Sequence, residues 1–222
     1  MSRMHIDRRL VIFDFDGTLA DTWRDIATAL NQTLHDDGLP AAPTRQVRAW
    51  IGDGVTRLLE RALPPQPRSA DHVAALVDRF RAHYERCLLD TTALYPGVAD
   101  CLARLAGHPL AILSNKPTGL LDRLVAGLGL AGRFAAVVGG DGAPVTKPDP
   151  AVVVHVVGVV GIRPDELWMV GDSAIDVATG RAAGARTIGC SWGLRGEDEL
   201  RAASADFIVD HPREIPPLIE RK

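Results

Sequence analysis

The sequence contains very little lysine: of its 25 basic residues, all but three are arginines. The three lysines are Lys116, Lys147 and Lys222. A mechanism that needs a lysine anywhere else in the chain is therefore excluded. Because lysine is so rare, the position of Lys147 directly before Pro148 supports a functional role for it against the alternative of a solvated surface lysine.

Cysteine is also scarce, and the sequence has neither a basic stripe nor a long apolar run near its start. Cys87, Cys101 and Cys190 are odd in number and widely spaced, which predicts reduced thiols in a cytoplasmic protein and no disulfide or zinc framework. The apolar run at residues 10–13 meets Asp14 after four residues, too few for a signal peptide or a membrane helix. We therefore expect neither a membrane nor nucleic acid among its partners.

What is present is an ordinary composition, with 46% hydrophobic residues and a net charge of −3 over 222 residues. This length suffices for one core domain and an insertion. Residues 20–90 have the apolar spacing of helices, whereas short apolar strands alternate with helices from Leu94 onwards. The pattern predicts an α/β fold: a doubly wound parallel (Rossmann-like) sheet from residues 1–19 and 91–222, with a helical cap domain inserted at 20–90.

Two carboxylates end the first predicted strand. The apolar run before Asp14 is typical of a strand buried on both faces of a parallel sheet. Asp14 and Asp16 would point the same way from its carboxyl end, because side chains alternate along a strand. Gly17 allows a turn and Thr18 adds a hydroxyl and a backbone N–H, which suits the loop to a phosphoryl group and a hard cation. The alternative is a turn cluster that caps the next helix.

Polar residues also stand where later apolar runs stop, with Ser114 after one and Asp172 after another. Ligands of doubly wound sheets bind outside the carboxyl ends of the strands, so we expect these residues to converge on Asp14 and Asp16. Lys147 would supply a cation to the same site. Taken singly, Ser114 and Asp172 are also compatible with simple helix caps.

The predicted crowding of carboxylates favours a metal ion. Two carboxylates about 4 Å apart repel by roughly 4 kcal/mol at an effective dielectric constant of 20. Lys147 alone cannot neutralise Asp14, Asp16, Asp172, a neighbouring Asp176 and a phosphate dianion. Oxygen ligands suit Mg²⁺, and the sequence has no His/Cys cluster that would point to zinc. Asp176 has the alternative role of favouring the N-terminus of the following helix.

The chain resembles the phosphatase branch of the haloacid dehalogenase superfamily at all four of its motifs and in their order. The motifs correspond to residues 14–18, Ser114, Lys147 and Asp172. Within that branch the resemblance is greatest to the phosphoglycolate phosphatases and extends over nearly the whole chain. The supporting stretches are residues 49–54, 94–98, 114–118 and 139–141.

The resemblance implies a role for each matching residue. Asp14 would be the nucleophile that forms an aspartyl-phosphate, and Asp16 would protonate the leaving alkoxide and then deprotonate water. Ser114 would hydrogen-bond a phosphoryl oxygen, and Lys147 would hold the nucleophile and stabilise charge. The implied Mg²⁺ ligands are Asp14, the backbone carbonyl of Asp16 and Asp172. Asp176 would be either a further ligand or a hydrogen-bond partner of a ligand.

Particular residues argue against two other activities of the superfamily, dehalogenation and phosphonate cleavage. Dehalogenating members generally lack the second carboxylate because no alkoxide needs a proton, so Asp16 favours phosphate chemistry. Phosphonate-cleaving members need a Schiff-base lysine from the cap, and residues 20–90 contain none. The resemblance also implies a helix at residues 151–160, although their β-branched composition favours a strand by propensity.

The resemblance implies a small phosphorylated metabolite as substrate, and 2-phosphoglycolate above others. Substrate choice should lie in the cap, which closes over the phosphate and touches the leaving group. A small carboxylate suits an arginine, and Arg45, Arg48 and Arg57 flank the helix break at residues 52–54. The alternative is that these arginines lie on a solvated surface. The candidate substrate-binding residues are Thr18, Asn115 and Arg57.

Other functions are left open by the same motifs. Within enzymes they are a phosphatase of sugar phosphates or pyrophosphate, and a mutase similar to β-phosphoglucomutase. Outside enzymes, a receiver-like signalling protein also uses Asp, Mg²⁺, Ser/Thr and Lys around a parallel sheet. Such a switch needs a persistent aspartyl-phosphate, whereas Asp16 is placed to activate water, and a receiver has no use for a cap. The sequence leaves the oligomeric state open between monomer and homodimer.

Overall fold

The computed structural model describes residues 9–221 and contains a six-stranded parallel sheet. Residues 1–8 and Lys222, all part of the predicted core domain, lie outside the described residues. The strands are β1 (Arg9–Phe13), β2 (Ala20–Asp21), β3 (Ala93–Leu94), β4 (Leu110–Leu113), β5 (Ala136–Val138), β6 (Glu166–Gly171), β7 (Arg186–Cys190) and β8 (Phe207–Val209). The large sheet has the order β5-β4-β1-β6-β7-β8 with every pair parallel. The predicted doubly wound sheet is confirmed.

Helices connect the strands and fill the segment between β2 and β3. They are α1 (Trp23–Asp36), α2 (Thr44–Trp50), α3 (Val55–Ala62), α4 (Ala70–Cys87), α5 (Val98–Arg104), α6 (Thr118–Gly127), α7 (Ala151–Val160), α8 (Ala174–Ala182), α9 (Glu197–Ala202) and α10 (Ile215–Glu220), with a 3₁₀ turn at Pro212–Glu214. None of the helices within residues 9–221 combines the length and the apolar character that crossing a membrane requires.

Strand β1 lies at the centre of the sheet and is buried on both faces. Val11 and Phe13 face one hydrophobic cluster, and Leu10 and Ile12 face another, with each side chain no more than 1% exposed. This two-sided burial explains the continuous apolar run. Because β4 pairs with one edge of β1 and β6 with the other, the direction of winding reverses at β1, and a crevice opens beyond its carboxyl end.

The helices α1 to α4 leave and rejoin the sheet region through a short antiparallel pair. Ala20 pairs with Leu94 and Asp21 with Ala93, so the prediction of helices over residues 20–90 is wrong at residues 20–21, which form a strand. The buried carboxylate of Asp25, in α1, accepts hydrogen bonds from the backbone N–H and the hydroxyl groups of Thr91 and Thr92. These contacts tie the return of the chain to α1. The boundaries of a separate cap domain stay a prediction.

Residues 151–160 form helix α7, as the resemblance implied, although seven of the ten residues are valine. Val152, Val153 and Val156 are buried in the cluster that also contains Leu10 and Ile12. This i, i+1, i+4 burial supplies the stabilisation that the weak helix propensity of valine does not. Asp149 starts the helix, since its carboxylate accepts a hydrogen bond of 2.9 Å from the backbone N–H of residue 151.

Candidate active site

The structure brings together side chains from loops that are distant in sequence. Asp14 follows β1, Ser114 follows β4 and Asp172 follows β6; these three strands are neighbours, so the residues lie at the same edge of the sheet. Lys147, from the loop before α7, donates hydrogen bonds to Asp14 Oδ1 at 2.7 Å and to Asp176 Oδ1 at 2.6 Å. All five side chains are buried. A cation and several carboxylates thus meet where doubly wound sheets bind ligands.

Three of the carboxylates form a compact cluster. Asp14, Asp172 and Asp176 each offer an oxygen atom, and these oxygens lie within 4.8 Å of one another. Gly17 makes the close approach possible: its φ of +89° is accessible to glycine, and a Cβ at this position would collide with the carboxylate of Asp172. Asp172 Oδ2 in turn accepts a hydrogen bond of 2.6 Å from the backbone N–H of Leu194.

Burial perturbs the protonation of this cluster. Burial and the neighbouring carboxylates outweigh the charge of Lys147 and raise the pKa of Asp14 from 3.8 to about 7. Burial, with the charges of Asp14 and Asp176, also raises the pKa of Asp172 well above its usual range. Burial alone would lower the pKa of Lys147, but the charges of Asp14 and Asp176 outweigh it and raise that pKa. Lys147 therefore stays protonated and positively charged, whereas ionising Asp14 and Asp172 at the same time is unfavourable.

The donor set fits Mg²⁺. It consists of carboxylate oxygens, which hard divalent cations prefer, and burial, together with the neighbouring carboxylates, raises the pKa of Asp14 and Asp172, so these groups are costly to ionise together. A divalent cation would offset that cost. The side chain of Asp16 is not part of the cluster of three; that its backbone carbonyl is a ligand stays a prediction. Both oxygens of Asp176 are engaged, by Lys147 and by Ser173, which favours Asp176 as a support for the lysine.

The carboxylate of Asp16 has its own partners. Thr22 donates its hydroxyl to Asp16 Oδ1 at 2.5 Å, and Lys116 Nζ lies 3.3 Å from Asp16 Oδ2. Lys116 also donates to the phenol oxygen of Tyr84, in α4, at 3.0 Å. Neither Lys116 nor Tyr84 is among the predicted site residues. The signal for Lys116 was available, since it is one of three lysines and follows Ser114 and Asn115.

Ser114 and Asn115 lie at the site but differ in what they can contact. The hydroxyl oxygen of Ser114 accepts a hydrogen bond of 3.2 Å from the backbone N–H of Lys116, so its own proton can be donated to a ligand. The amide of Asn115 is used by the backbone: it donates to the carbonyls of Gly52 and Lys147 and accepts from the N–H of Lys147. Asn115 therefore positions Lys147 against the loop that follows α2.

Two of the expected substrate-binding side chains are not brought to the site. The turn at Gly17 directs Thr18 into a small apolar cavity beside Phe13, away from the carboxylates. Arg57 lies on the outer face of α3, where its side chain is 67% exposed and pairs with Glu60 at 2.6 Å. The buried positions in α3 are the next two residues, Leu58 and Leu59, which fixes Arg57 on the solvent side of the helix.

Comparison with known proteins places this geometry in a family. The family model described as haloacid dehalogenase-like hydrolase matches residues 11–190, which include Asp14, Ser114, Lys147 and Asp172. The chain belongs to this family. The predicted resemblance is confirmed.

Relatives of this haloacid dehalogenase-like hydrolase match over almost their full lengths. The phosphoglycolate phosphatase of Pectobacterium atrosepticum is 37% identical over 95% of this chain and 92% of the relative. That of Chromobacterium violaceum is 38% identical over 99% of both chains. A solved structure from Haemophilus somnus, described as a predicted phosphoglycolate phosphatase, has a TM-score of 0.89 and 29% identity, covering 96% of this chain and 99% of that chain. Together with the family and fold, these relatives make the protein a phosphatase, as predicted.

In this phosphatase Asp14, Asp16 and Ser114 line a pocket that also contacts the helices α1, α3 and α4. The apolar part of its lining is formed by Ile26, Ile51, Val55, Leu58, Phe80 and Leu120. Two cations line the pocket, the buried Lys116 and the exposed Arg81.

Proposed function

We propose that this phosphatase hydrolyses 2-phosphoglycolate to glycolate and phosphate, with Asp14 as nucleophile and Mg²⁺ as cofactor. The observation that best supports the chemistry is the 2.7 Å contact from Lys147 Nζ to Asp14 Oδ1, because it fixes one carboxylate of a buried acidic cluster in a single orientation. The substrate is supported by the relatives that carry the name phosphoglycolate phosphatase at 37% and 38% identity.

In the first step, a carboxylate oxygen of Asp14 forms a bond to phosphorus as the bond from phosphorus to the glycolate oxygen breaks. Lys147 holds Oδ1 of Asp14, so we assign the attack to Oδ2. The leaving alkoxide takes the proton of Asp16, whose carboxylate is oriented by the 2.5 Å hydrogen bond from Thr22. Lys147 and the hydroxyl of Ser114 stabilise the charge on the transferring phosphoryl group.

In the second step, water attacks the phosphorus of the aspartyl-phosphate and gives its proton to Asp16. The bond between phosphorus and Asp14 then breaks, which releases phosphate and restores both carboxylic groups to their starting states. Bound Mg²⁺ would be held by Asp14, the backbone carbonyl of Asp16 and Asp172, and would supply positive charge that offsets the phosphate dianion. Asp176 orients Lys147 throughout, since it accepts a hydrogen bond of 2.6 Å from Nζ.

The pocket wall supports a small substrate with few hydroxyl groups. A sugar phosphate would bring several hydroxyls against Ile51, Val55 and Leu58, where the side chains offer no hydrogen-bond partner. Each unmet hydrogen bond costs roughly 1–3 kcal/mol. The glycolate unit has a single methylene and a carboxylate, so it avoids this loss.

We also propose that residues 20–90 act as a cap that closes over the substrate. Its supports are hydrogen bonds between this segment and the loop after β7: Arg48 Nη2 donates to the carbonyl of Gly193 at 2.8 Å, and Arg195 Nη2 donates to that of Ile51 at 2.6 Å. The sequence-based expectations of a cytoplasmic protein that acts on a small phosphorylated metabolite, as a monomer or a homodimer, complete the proposal.

A phosphate-release panel tests the proposed function. Purified protein is assayed with and without Mg²⁺ on 2-phosphoglycolate, hexose phosphates, pyrophosphate and nucleotides. We expect sustained Mg²⁺-dependent release, fastest on 2-phosphoglycolate; a mutase or a receiver-like switch would not release phosphate continuously. Asp14→Asn is expected to lower turnover at least about a thousandfold, since the covalent step disappears. Asp100→Asn, the same change on an exposed residue of α5, is the matched control. Near-normal turnover by Asp14→Asn would contradict the assigned nucleophile.

A further inference from the structure

Lys116 is a buried cation with hydrogen-bonding capacity to spare. Its side chain is only 5% exposed, yet it lines the catalytic pocket. An ammonium group has three N–H donors, and the described residues give it two oxygen partners, Tyr84 Oη at 3.0 Å and Asp16 Oδ2 at 3.3 Å. The remaining donor is therefore available to a ligand in the pocket.

Tyr84 fixes the position of this ammonium group. Burial, followed by the charges of Asp16 and Asp25, raises the pKa of Tyr84 well above its usual range, so its phenol stays neutral and accepts a hydrogen bond from Lys116. The Nζ atom also lies 4.4 Å from the centre of the Tyr84 ring, a distance at which the ring face attracts a cation. Two contacts with one aromatic residue hold the lysine more firmly than its flexible side chain would allow alone.

The position of Lys116 matches one end of the proposed substrate. In the mechanism above, the ester oxygen receives its proton from Asp16, and Lys116 Nζ lies 3.3 Å from Asp16 Oδ2. In 2-phosphoglycolate a single methylene separates the ester oxygen from the carboxylate. A substrate whose ester oxygen contacts Asp16 consequently brings its carboxylate to the group beside Asp16.

We propose that Lys116, held by Tyr84, binds the carboxylate of the leaving group and thereby selects phosphate esters of short 2-hydroxy acids. This inference rests on the proposed function and adds the residue that determines its specificity. Asp16 thus lies between the reacting phosphorus and the cation that recognises the other end of the substrate.

The test compares 2-phosphoglycolate with ethyl phosphate, which has the same two-carbon leaving group without the carboxylate. The wild type is expected to prefer 2-phosphoglycolate in kcat/KM. Lys116→Met, similar in length and uncharged, is expected to lower that preference on the order of 100-fold, because a buried charge-assisted contact is lost. Lys116→Arg, which restores a cation, is expected to recover part of the preference.

Three results would overturn the inference. If Lys116→Met slows both substrates equally, Lys116 acts through Asp16 and does not recognise the carboxylate. If Arg81→Met abolishes the preference and Lys116→Met retains it, the other cation of the pocket is the anchor. A wild type without preference refutes the proposed substrate together with this inference, whereas a preference that persists in Lys116→Met refutes the inference alone.

A second variant keeps the test valid if Lys116→Met does not fold, which far-ultraviolet circular dichroism and thermal unfolding would reveal. Tyr84→Phe keeps the ring and the lysine and removes only the hydroxyl that positions Nζ. It is expected to lower the preference for 2-phosphoglycolate about tenfold, mainly through KM, because the carboxylate is bound less firmly in the ground state. An unchanged preference in Tyr84→Phe would exclude the positioning role of Tyr84.

Discussion

Replacing Asp14 by asparagine should abolish turnover and yet stabilise the metal-free protein above neutral pH. Burial raises the pKa of Asp14 from 3.8 to about 7. At a pH between these two values, the Asp14 carboxyl is protonated in the folded state and ionised in the unfolded state. Stability then falls as the pH rises from about 4 to about 7, because the unfolded state binds fewer protons. Asparagine resembles the neutral carboxylic acid and cannot ionise, so the variant does not undergo this loss.

The structure sets the size of the effect. One pKa unit corresponds to about 1.4 kcal/mol, so the shift of Asp14 from 3.8 to about 7 gives an upper value on the order of 4 kcal/mol at pH 8. Loss of the charged partner of Lys147 reduces the gain, although the asparagine oxygen can still accept its hydrogen bond and Asp176 remains at 2.6 Å. At roughly 2–4 °C per kcal/mol for a chain of this size, Tm should rise by several degrees.

The assay is thermal and urea unfolding in EDTA at pH 5 and pH 8, for the wild type, Asp14→Asn and Asp141→Asn. Asp141 is the control because hydrogen bonds from Thr118 lower its pKa; its loss should not stabilise the protein at either pH. Added Mg²⁺ should raise Tm of the wild type at pH 8 more than that of Asp14→Asn. An Asp14→Asn variant that is less stable than the wild type at pH 8, or a difference that does not change with pH, would refute the reasoning.

Two further predictions concern residues outside the cluster. Asp25→Asn should lower the free energy of unfolding by about 2–4 kcal/mol, because both carboxylate oxygens accept hydrogen bonds from Thr91 and Thr92 and an amide NH₂ would face these donors. Urea unfolding measures the change, and an unchanged urea midpoint would contradict the stabilising role of these hydrogen bonds. Arg57→Ala should change kcat/KM on 2-phosphoglycolate less than about twofold, because the arginine side chain is 67% exposed and paired with Glu60. A large rise in KM would show that closure of the cap brings Arg57 to the substrate.

The central part of the site was predictable because it follows from the sheet. The apolar run before Asp14 and the one before Asp172 identify buried strands, and the carboxyl ends of parallel strands meet at one edge. The residue types at those ends then specify the chemistry. No knowledge of side-chain packing was needed for that step, since β1, β4 and β6 are hydrogen-bonded neighbours.

The rest of the site depends on packing that no short pattern encodes. The contact between Lys116 and Tyr84 joins residues 32 positions apart and depends on how α4 is rotated against α1. Thr18 fits the motif, but the backbone turn at Gly17 directs its side chain into a different cavity. For Arg57, the burial of Leu58 and Leu59 decides which face of α3 meets solvent. All three features depend on the direction of a side chain, which propensity and spacing leave undetermined.

Lysine is rare in this chain, and both lysines within residues 9–221 lie in the active site. Each is paired with a different member of the Asp14–Asp16 motif, Lys147 with Asp14 and Lys116 with Asp16. A compact ammonium can approach several oxygens in a confined, buried space, whereas the planar guanidinium of arginine needs room for a flat fork of donors. The exposed pair of Arg57 with Glu60 has that room. In the proposed mechanism Lys147 accordingly serves the phosphoryl group and Lys116 the leaving group, with the proposed acid–base residue Asp16 beside Lys116.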